Sequence, residues 1–262
     1  MQEIIITTVV IGVIGLIIGI ALVAAGKKFY VAVDEKAIAV RECLPGNNCG
    51  ACGYAGCDAV AAAIAAGDAP VNACPGCSAD AVAKIGGVMG VEAEAAQRKT
   101  AQVKCSGDCE HTSAKCNYVG IEDCRAAALA GLNTGSCTFG CLGYGSCVKV
   151  CTYDAIHVVN GVAKVDTSKC VGCGMCAKAC PKGLIEVVRA DRTFVVKCSN
   201  KDRGPAVKKV CSAGCLGCGA CVKQCEHDAI HLEGNLAYID YDKCVGCGKC
   251  AEKCPAKNIV RQ

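Results

Sequence analysis

The sequence is poor in large aromatic side chains and in histidine. Its 262 residues include no tryptophan, three phenylalanines, seven tyrosines and four histidines. So few rings argue against one large aromatic core, and we expect several small modules that draw stability from another source. The shortage of histidine also disfavours zinc sites of the mixed cysteine–histidine kind.

Several ligand-binding signatures are missing as well. No GxGxxG sequence follows a predicted strand, there is no P-loop, and no flavin-attachment signal is found. The chain also has no recognisable DNA- or RNA-binding motif. We therefore expect no nucleic-acid partner, no nucleotide site and no catalytic residue on this chain.

Cysteine, in contrast, accounts for 28 residues. A content this high is typical of disulfide scaffolds, zinc proteins and iron–sulfur proteins, which differ in how their cysteines are spaced. The formal charge of +4 does not favour an acidic partner if clusters are bound. Each oxidised [4Fe–4S] centre with four thiolates carries a net charge of about −2, so several would make the protein acidic.

The first apolar stretch of the chain, Ile4 to Ala25, contains no charged residue. As a helix it would extend about 33 Å, enough to cross a hydrocarbon core of about 30 Å. Lys27 and Lys28 follow it and, by the positive-inside rule, place the bulk of the chain on the cytoplasmic side. A cleaved signal peptide would have a basic start and a shorter apolar stretch. We predict a single-pass anchor, residues 1–27, in the cytoplasmic membrane, where a reducing compartment disfavours disulfides.

The second half of the chain repeats itself without gaps. Asp154–His157 recurs 74 positions later as Asp228–His231. Nine cysteines recur in the same register: Cys124, Cys137, Cys141, Cys147, Cys151, Cys170, Cys173, Cys176 and Cys180 as Cys198, Cys211, Cys215, Cys221, Cys225, Cys244, Cys247, Cys250 and Cys254. A repeat of this kind indicates one structural unit used twice. We predict two tandem modules, 131–190 and 191–262.

Each unit is predicted to contain a short β-hairpin between cysteine-rich loops and helices. Asn160-Gly161 and Gly234-Asn235 are hairpin turn signals. The predicted strands beside these turns are Ile156–Val159, Ala163–Asp166, Ile230–Glu233 and Ala237–Asp240. His157 and His231 lie on these strands, where we expect them to pack or to hydrogen-bond rather than to bind metal.

Each unit ends in the cysteine run of bacterial ferredoxins, C-x2-C-x2-C-x3-C-P. The runs comprise Cys170, Cys173, Cys176, Cys180 and Pro181, and Cys244, Cys247, Cys250, Cys254 and Pro255. Three cysteines of such a run ligate one [4Fe–4S] cluster, and the fourth ligates the other cluster of the module. Zinc sites more often use two separated CxxC pairs, frequently with histidine. The spacing therefore indicates iron–sulfur clusters.

The exchange of fourth ligands predicts two clusters in each unit. Three sets follow the pattern directly: Cys151 with Cys170, Cys173 and Cys176; Cys254 with Cys215, Cys218 and Cys221; and Cys225 with Cys244, Cys247 and Cys250. The fourth set departs from it, because Tyr144 stands where the second unit has Cys218. We take Cys137, four residues before Cys141, as the substitute. The resulting set is Cys137, Cys141, Cys147 and Cys180.

A different motif lies nearer the N-terminus. It consists of Cys49, Cys52, Cys57 and Cys74. The alanine-rich stretch Asp58–Ala66 is predicted to be a helix that carries the chain away before Cys74 returns to the site. We predict that these four cysteines hold a cluster and that Cys43 and Cys77 are spare thiols. This domain covers 28–100 and ends in a predicted helical linker, Val91–Ala101.

A third cysteine-rich segment, 101–130, matches no template. Its cysteines are Cys105, Cys109, Cys116 and Cys124. They could hold one more cluster, or they could be loosely related thiols around Cys137. Cys198 and Cys211 are not needed for the two clusters of the second unit, and their role stays open. We predict at least five [4Fe–4S] clusters, and the number of cysteines allows six or more.

The predicted fold class is α+β and multi-module: a transmembrane helix, a small helical [4Fe–4S] domain and two tandem bacterial-type 2[4Fe–4S] ferredoxin modules. The chain resembles the B subunit of the Rnf complex over essentially its whole length. The resemblance rests on the anchor, on the stretch LPGNNCGACGYAGC with Cys74, and on the tandem modules. That complex is the ion-translocating ferredoxin:NAD⁺ oxidoreductase of bacterial membranes. The resemblance implies an electron-transfer subunit that accepts electrons from reduced ferredoxin and relays them to membrane partner subunits. NAD is then reduced on a different subunit, coupled to Na⁺ or H⁺ transport.

Two other classes remain as alternatives. One is a catalytic iron–sulfur enzyme, which would need an open iron site, whereas the cysteines here are in surplus. The other is a zinc-dependent interaction protein, which would lack the brown colour of iron–sulfur clusters. Because the modules lie farthest from the anchor, we expect electrons to enter there and to leave through the cluster of the N-terminal motif. Exposed lysines could steer an acidic ferredoxin or simply form a solvated surface. They are Lys169, Lys178, Lys182, Lys223, Lys243 and Lys249.

Overall fold

The computed structural model describes residues 2–28, 34–92, 97–131 and 135–262. Helix α1 comprises Gln2–Lys28, and the side chains of residues 2–5 and 7–11 lie outside the described residues. In the part of the chain that is described, no helix is both long and apolar enough to cross a membrane. The structure therefore does not support the predicted span Ile4–Ala25. Some side chains of that stretch lie outside the described residues.

A small helical domain follows α1. Its helices are α2 Glu35–Cys43, α3 Cys57–Ala66 and α4 Ala79–Met89. The side chains of Asp34 and Ser78 accept hydrogen bonds from backbone N–H groups at the starts of α2 and α4, which would otherwise lack partners. Ile64 of α3 and Ile85 of α4 are buried in the core between the helices. Helix α3 includes the predicted stretch Asp58–Ala66, so that prediction is confirmed.

The prediction of a helical linker over Val91–Ala101 is wrong. Helix α4 ends before it, and residues 93–96 lie outside the described residues. The end of the linker forms strand β1, Lys99–Val103, which pairs antiparallel with β4, Ile185–Arg189. The pairing buries the last four residues of β1, and this tertiary contact outweighs local helix propensity. β1 is thus paired with a strand of the first module, although it precedes residue 131, the predicted start of that module.

Two modules of the same architecture make up the rest of the chain. Besides β1 and β4, module 1 contains α5 Cys124–Leu129, α6 Ser146–Lys149, β2 Ile156–Val159, β3 Val162–Val165 and α7 Met175–Ala179. Module 2 contains β5 Phe194–Val196, α8 Gly204–Val210, α9 Ala220–Gln224, β6 Ile230–Glu233, β7 Leu236–Ile239, α10 Lys249–Glu252 and β8 Ile259–Arg261. The hairpins β2–β3 and β6–β7 confirm the predicted strands, except that β3 and β7 begin one residue early.

Each module is closed by a strand that precedes its cysteine-rich loops. β1 pairs with β4, and β5 pairs with β8. Beyond each ladder one more backbone bond forms, from Lys104 N–H to Leu184 O at 2.7 Å and from Lys197 N–H to Asn258 O at 2.8 Å. Leu184 and Asn258 are equivalent in the 74-residue repeat. Lys104 and Lys197 are therefore structural counterparts.

The cysteines after these lysines are counterparts as well. The gapless repeat aligns Cys124 with Cys198, but in the fold Cys105 occupies the place that Cys198 has in module 2. Cys137 lies 32 positions after Cys105, whereas Cys211 lies only 13 positions after Cys198. Module 1 thus carries an insertion between these two cysteines, and α5 belongs to it.

Candidate metal centres

Four cysteines line a cavity in module 2, and they form one of the predicted sets. They are Cys225, Cys244, Cys247 and Cys250. The loop between Cys244 and α10 turns at Gly246 and Gly248, whose φ angles are +71° and +80°. A Cβ atom on Gly248 would lie 2.8 Å from the ring of Phe194. Glycine is required there both for the left-handed backbone and for the close approach of β5.

The corresponding cavity of module 1 is lined by the equivalent cysteines, Cys151, Cys170, Cys173 and Cys176. Backbone N–H groups point at the sulfur atoms: Ala101 N lies 3.3 Å from Cys170 Sγ and Ala155 N lies 3.4 Å from Cys151 Sγ. Module 2 repeats the second contact between Ala229 N and Cys225 Sγ, again at 3.4 Å. Hydrogen bonds of this kind to cysteine sulfur stabilise bound iron–sulfur clusters and tune their potentials.

A second cavity of module 1 is lined by Cys124, Cys141, Cys147 and Cys180. Four cysteines line it, as in each of the two cavities above, so all three suit the same group. Of the predicted set, Cys141, Cys147 and Cys180 line this cavity together with Cys124, whereas Cys137 lines a different one. The insertion brings Cys124 in, and Tyr144, which replaces the missing cysteine, packs against Tyr118 with ring centroids 5.2 Å apart. One hint is visible in the sequence, since Cys124 precedes a short run of alanines typical of a helix.

The remaining set of module 2 is less enclosed. Cys215, Cys221 and Cys254 belong to one core, while Cys218 is exposed. Beside them the side chain of Asn258 is buried, its Oδ1 lies 3.6 Å from Cys254 Sγ, and its Nδ2 has no partner among the described residues. A buried amide donor of this kind needs an acceptor, which the sulfur atoms of a cluster held by this set would provide.

In the N-terminal domain the predicted ligands gather around α3. Cys52 and Cys74 pack against the core that includes buried Cys57, and the Cys57 N–H donates to Asn48 Oδ1 at 2.7 Å. Cys77, predicted to be a spare thiol, hydrogen-bonds Cys74 and lowers the pKa of that thiol, while its own pKa is raised. Cys74 is therefore the member of the pair that is predisposed to act as a thiolate ligand.

The electrostatics of these sites match a positively charged core. Burial, followed by the charges of neighbouring thiols, raises the pKa of Cys176 to about 12 and that of Cys147 to about 11. Thiolates in such positions need compensating positive charge, which iron supplies. Among the described residues, no three cysteine, histidine or acidic side chains are close enough to share one metal ion. Thiols of a cubane bind four different irons and so stand farther apart than the ligands of a single zinc ion.

The cysteines of the insertion do not gather as one set. Cys105 lies between the modules, Cys124 lines a cavity of module 1, and Cys109 and Cys116 are exposed. Cys137 shares the cavity of Cys105. The structure therefore does not bring together the set Cys105, Cys109, Cys116 and Cys124 that the sequence suggested.

Tyr153 joins the N-terminal domain to module 1. Its hydroxyl is hydrogen-bonded to the side chain of Asn47, and burial raises its pKa, with further contributions from Cys49 and Cys173. It also lies directly against Gly76, where a Cβ atom would come within 2.5 Å of the hydroxyl. One cysteine from each of two sets, Cys49 and Cys173, is thereby brought to this contact.

Cysteine-lined cavities in tandem modules of this fold define an iron–sulfur protein of the ferredoxin type. Family models agree: an Fe–S cluster domain matches residues 44–76, a 4Fe-4S binding domain matches 163–186 and a 4Fe-4S dicluster domain matches 214–258. The chain binds [4Fe–4S] clusters as its cofactors.

Curated relatives identify the family, and the following three are B subunits of ion-translocating complexes. The chain is 45% identical to that of the Na⁺-translocating ferredoxin:NAD⁺ oxidoreductase complex of Acetobacterium woodii, over 89% of this chain and 71% of the relative. It is 40% identical to that of the proton-translocating complex of Clostridium ljungdahlii, over 92% and 85%. It is 37% identical to that of the ion-translocating oxidoreductase complex of Methanosarcina acetivorans, over 94% of each. The chain belongs to this family, RnfB, and is thus part of an oxidoreductase.

Proposed function

We propose that this chain is the electron relay of a membrane-bound, ion-translocating ferredoxin:NAD⁺ oxidoreductase. It accepts electrons from reduced ferredoxin and passes them to the other Rnf-type membrane subunits, one of which reduces NAD⁺ while Na⁺ or H⁺ is moved. The observation that carries the proposal is the succession of cysteine sets in the N-terminal domain, in module 1 and in module 2. Bound [4Fe–4S] clusters supply one-electron transfer at each set, and the protein positions and insulates them.

The ligand sets that we propose follow the cavities. They are Cys49, Cys52, Cys57 and Cys74; Cys151, Cys170, Cys173 and Cys176; Cys124, Cys141, Cys147 and Cys180; Cys215, Cys218, Cys221 and Cys254; and Cys225, Cys244, Cys247 and Cys250. The exchange of fourth ligands within each module is retained. Only the substitution of Cys124 for Cys137 differs from the pattern expected from sequence.

Contacts between the sets support a continuous path. Cys49 and Cys173 both lie near enough to Tyr153 to raise its pKa, and Cys147 lies close enough to Cys176 to raise the pKa of that thiol. In module 2, Cys221 and Cys250 share one core. Each of these pairs of sets is thus joined by packed protein rather than by solvent.

We further propose that α1 anchors the chain in the cytoplasmic membrane, with the remainder on the cytoplasmic side. The support is the uncharged stretch Ile4–Ala25 and the basic last turn, Lys27 and Lys28. Electrons would then enter at the modules and leave near the N-terminal domain, which is the part of the relay closest to the anchor in sequence.

Lysines near the modules contribute less to steering than their number suggests. Lys169 pairs with Asp154 at 3.2 Å, and Lys243 pairs with Asp228 at 3.5 Å. These pairs neutralise part of the positive surface, which favours the solvated-surface alternative at both positions. Recognition of an acidic ferredoxin would rest on other cations, such as Lys223.

The proposal is tested in the assembled complex with the double variant Cys244→Ala/Cys247→Ala. Two ligands of one module 2 set are removed, so ferredoxin-dependent NAD⁺ reduction should be lost while the variant chain still assembles in membranes. Cys116→Ala is the matched control and should retain activity, because Cys116 is exposed and lines none of the cavities above. Wild-type rates in the double variant would show that ferredoxin does not deliver electrons through module 2.

A further inference from the structure

A cavity between the two modules is lined by four cysteines that belong to none of the five sets. The four are Cys105, Cys137, Cys198 and Cys211, and Cys141 of module 1 lies at the edge of the cavity. Two of the four come from module 1 and two from module 2.

The four thiols converge. A Cβ atom built on Gly107 would lie 3.3 Å from Cys211 Sγ and 3.7 Å from Cys105 Sγ, so one small residue separates a sulfur of each module. The side-chain amide of Asn200 donates to Cys137 Sγ, and its backbone N–H lies 3.5 Å from Cys198 Sγ. Asn200 is 2% exposed and ties the second pair of sulfurs together.

The arrangement has approximate two-fold symmetry. Cys198 accepts from the backbone N–H of Cys215 at 3.3 Å, and Cys105 accepts from the backbone N–H of Cys141. Cys141 and Cys215 are equivalent in the repeat. Each thiol also accepts from the amide two residues ahead, Gly107 for Cys105 and Asn200 for Cys198.

The other two cysteines, Cys137 and Cys211, are also equivalent in the repeat. Cys137 and Cys211 each begin a turn in which the glycine three residues later, Gly140 or Gly214, donates back to the cysteine carbonyl at 3.1 and 3.3 Å. Amides directed at thiols from equivalent positions of both modules are the environment found around the clusters within each module. Loosely related thiols would show no such correspondence.

Positive charge lies at this cavity too. Lys104 and Lys197, the structural counterparts that precede Cys105 and Cys198, both line it. Lys104 is paired with Glu186, and no carboxylate among the described residues forms an ion pair with Lys197. A centre with net negative charge would offset the positive charge of these lysines.

We infer that Cys105, Cys137, Cys198 and Cys211 hold a sixth [4Fe–4S] cluster, shared between the two modules. It lies beside Cys141 of one module and Cys215 of the other, and so it closes the interval between the sets of module 1 and those of module 2. The inference deepens the proposed relay function and rests on it. Six sets of four would use 24 cysteines and leave Cys43, Cys77, Cys109 and Cys116.

The test uses anaerobically purified full-length protein. Wild type should contain about 24 irons and 24 acid-labile sulfides, and the double variant Cys198→Ala/Cys211→Ala should contain about four fewer of each. Cys109→Ala/Cys116→Ala removes two exposed cysteines of the insertion and should lose none. An unchanged iron content in the first variant, or stoichiometric zinc in place of the lost iron, would overturn the shared cluster.

A second measurement covers the case in which the variant fails to fold. Native mass spectrometry of the wild type should show six bound clusters, whereas five would refute the inference without any substitution. Cluster number does not depend on ferredoxin or on turnover. A failure of the relay function with six clusters present, or of the sixth cluster with the relay intact, can therefore be told apart.

Discussion

The hydroxyl of Ser146 donates a 2.8 Å hydrogen bond to Oδ2 of Asp123 and accepts one of 2.7 Å from the backbone N–H of Cys124. These two bonds fasten the start of α5, in the insertion, to the start of α6, in the body of module 1. They hold Cys124 at the cavity where the sequence of the first unit lacks a cysteine. A serine next to Cys147 thus positions Cys124 at this cavity.

Replacing Ser146 by alanine should destabilise module 1. The buried amide of Cys124 loses its acceptor, at a cost of about 1–3 kcal/mol, and the midpoint of denaturant unfolding of the iron-loaded protein should fall accordingly. Ser168→Ala is the control, because the Ser168 hydroxyl bonds only exposed Asp166. Equal midpoints for the two variants would contradict the fastening role of Ser146.

The iron lost from double alanine variants should show that Cys124 and Cys180 serve one cluster and that Cys137 serves another. The double variant Cys124→Ala/Cys180→Ala should lose about four irons, because both ligands serve one cluster, whereas Cys124→Ala/Cys137→Ala should lose about eight. The same outcome tests the exchange of fourth ligands. Loss of the signal from the Cys170, Cys173 and Cys176 cluster on Cys180→Ala substitution, in EPR spectra of the reduced protein, would refute that exchange.

Gly217→Ala should be far more damaging than Gly183→Ala. Both glycines have φ near +61°, so alanine is strained at either position by about 1 kcal/mol. At Gly217 the added Cβ would also lie 2.6 Å from the carbonyl oxygen of Asn235, while at Gly183 it would meet open space. Thermal unfolding of the iron-loaded variants measures the difference, and similar melting temperatures would argue against close packing of this loop on the β6–β7 turn.

Deleting residues 1–27 should yield a cluster-loaded protein that is purified without detergent. Every cysteine follows the apolar stretch, so the iron content per chain should equal that of the full chain. Fractionation of cells that lack the partner subunits provides the measurement. If the truncated chain stayed in the membrane fraction, a second membrane contact would be required.

Much of the architecture is local and could be derived from the sequence. The ferredoxin runs place three ligands within seven residues, and glycine between them gives the chain the conformations that such a loop needs. Asn160-Gly161 sets the first hairpin, and α3 follows from its alanine content. These features depend on neighbours in sequence. The 74-residue repeat also shows the cysteine pattern of the modules in two copies, which strengthens the prediction.

The linker before module 1 could not be derived in this way. Lys99–Val103 carries no strong strand signal, and it becomes β1 only because β4 offers an edge with which it pairs. That pairing puts Cys105 at the place in module 1 that Cys198 has in module 2, whereas the gapless repeat aligns Cys198 with Cys124. A gapless alignment could not detect an insertion that lies between two cysteines.

The sequence by itself determined the chemistry of this protein: its cysteine spacing specifies [4Fe–4S] clusters, ferredoxin modules and the family. Only the tertiary structure decided which distant thiols meet, giving Cys124 to the cavity of module 1 and Cys137 to the space between the modules. The physical reason is that ligand loops are fixed by short-range backbone geometry. Sets drawn from an insertion and from two modules depend instead on strand pairing and packing between residues far apart in the chain.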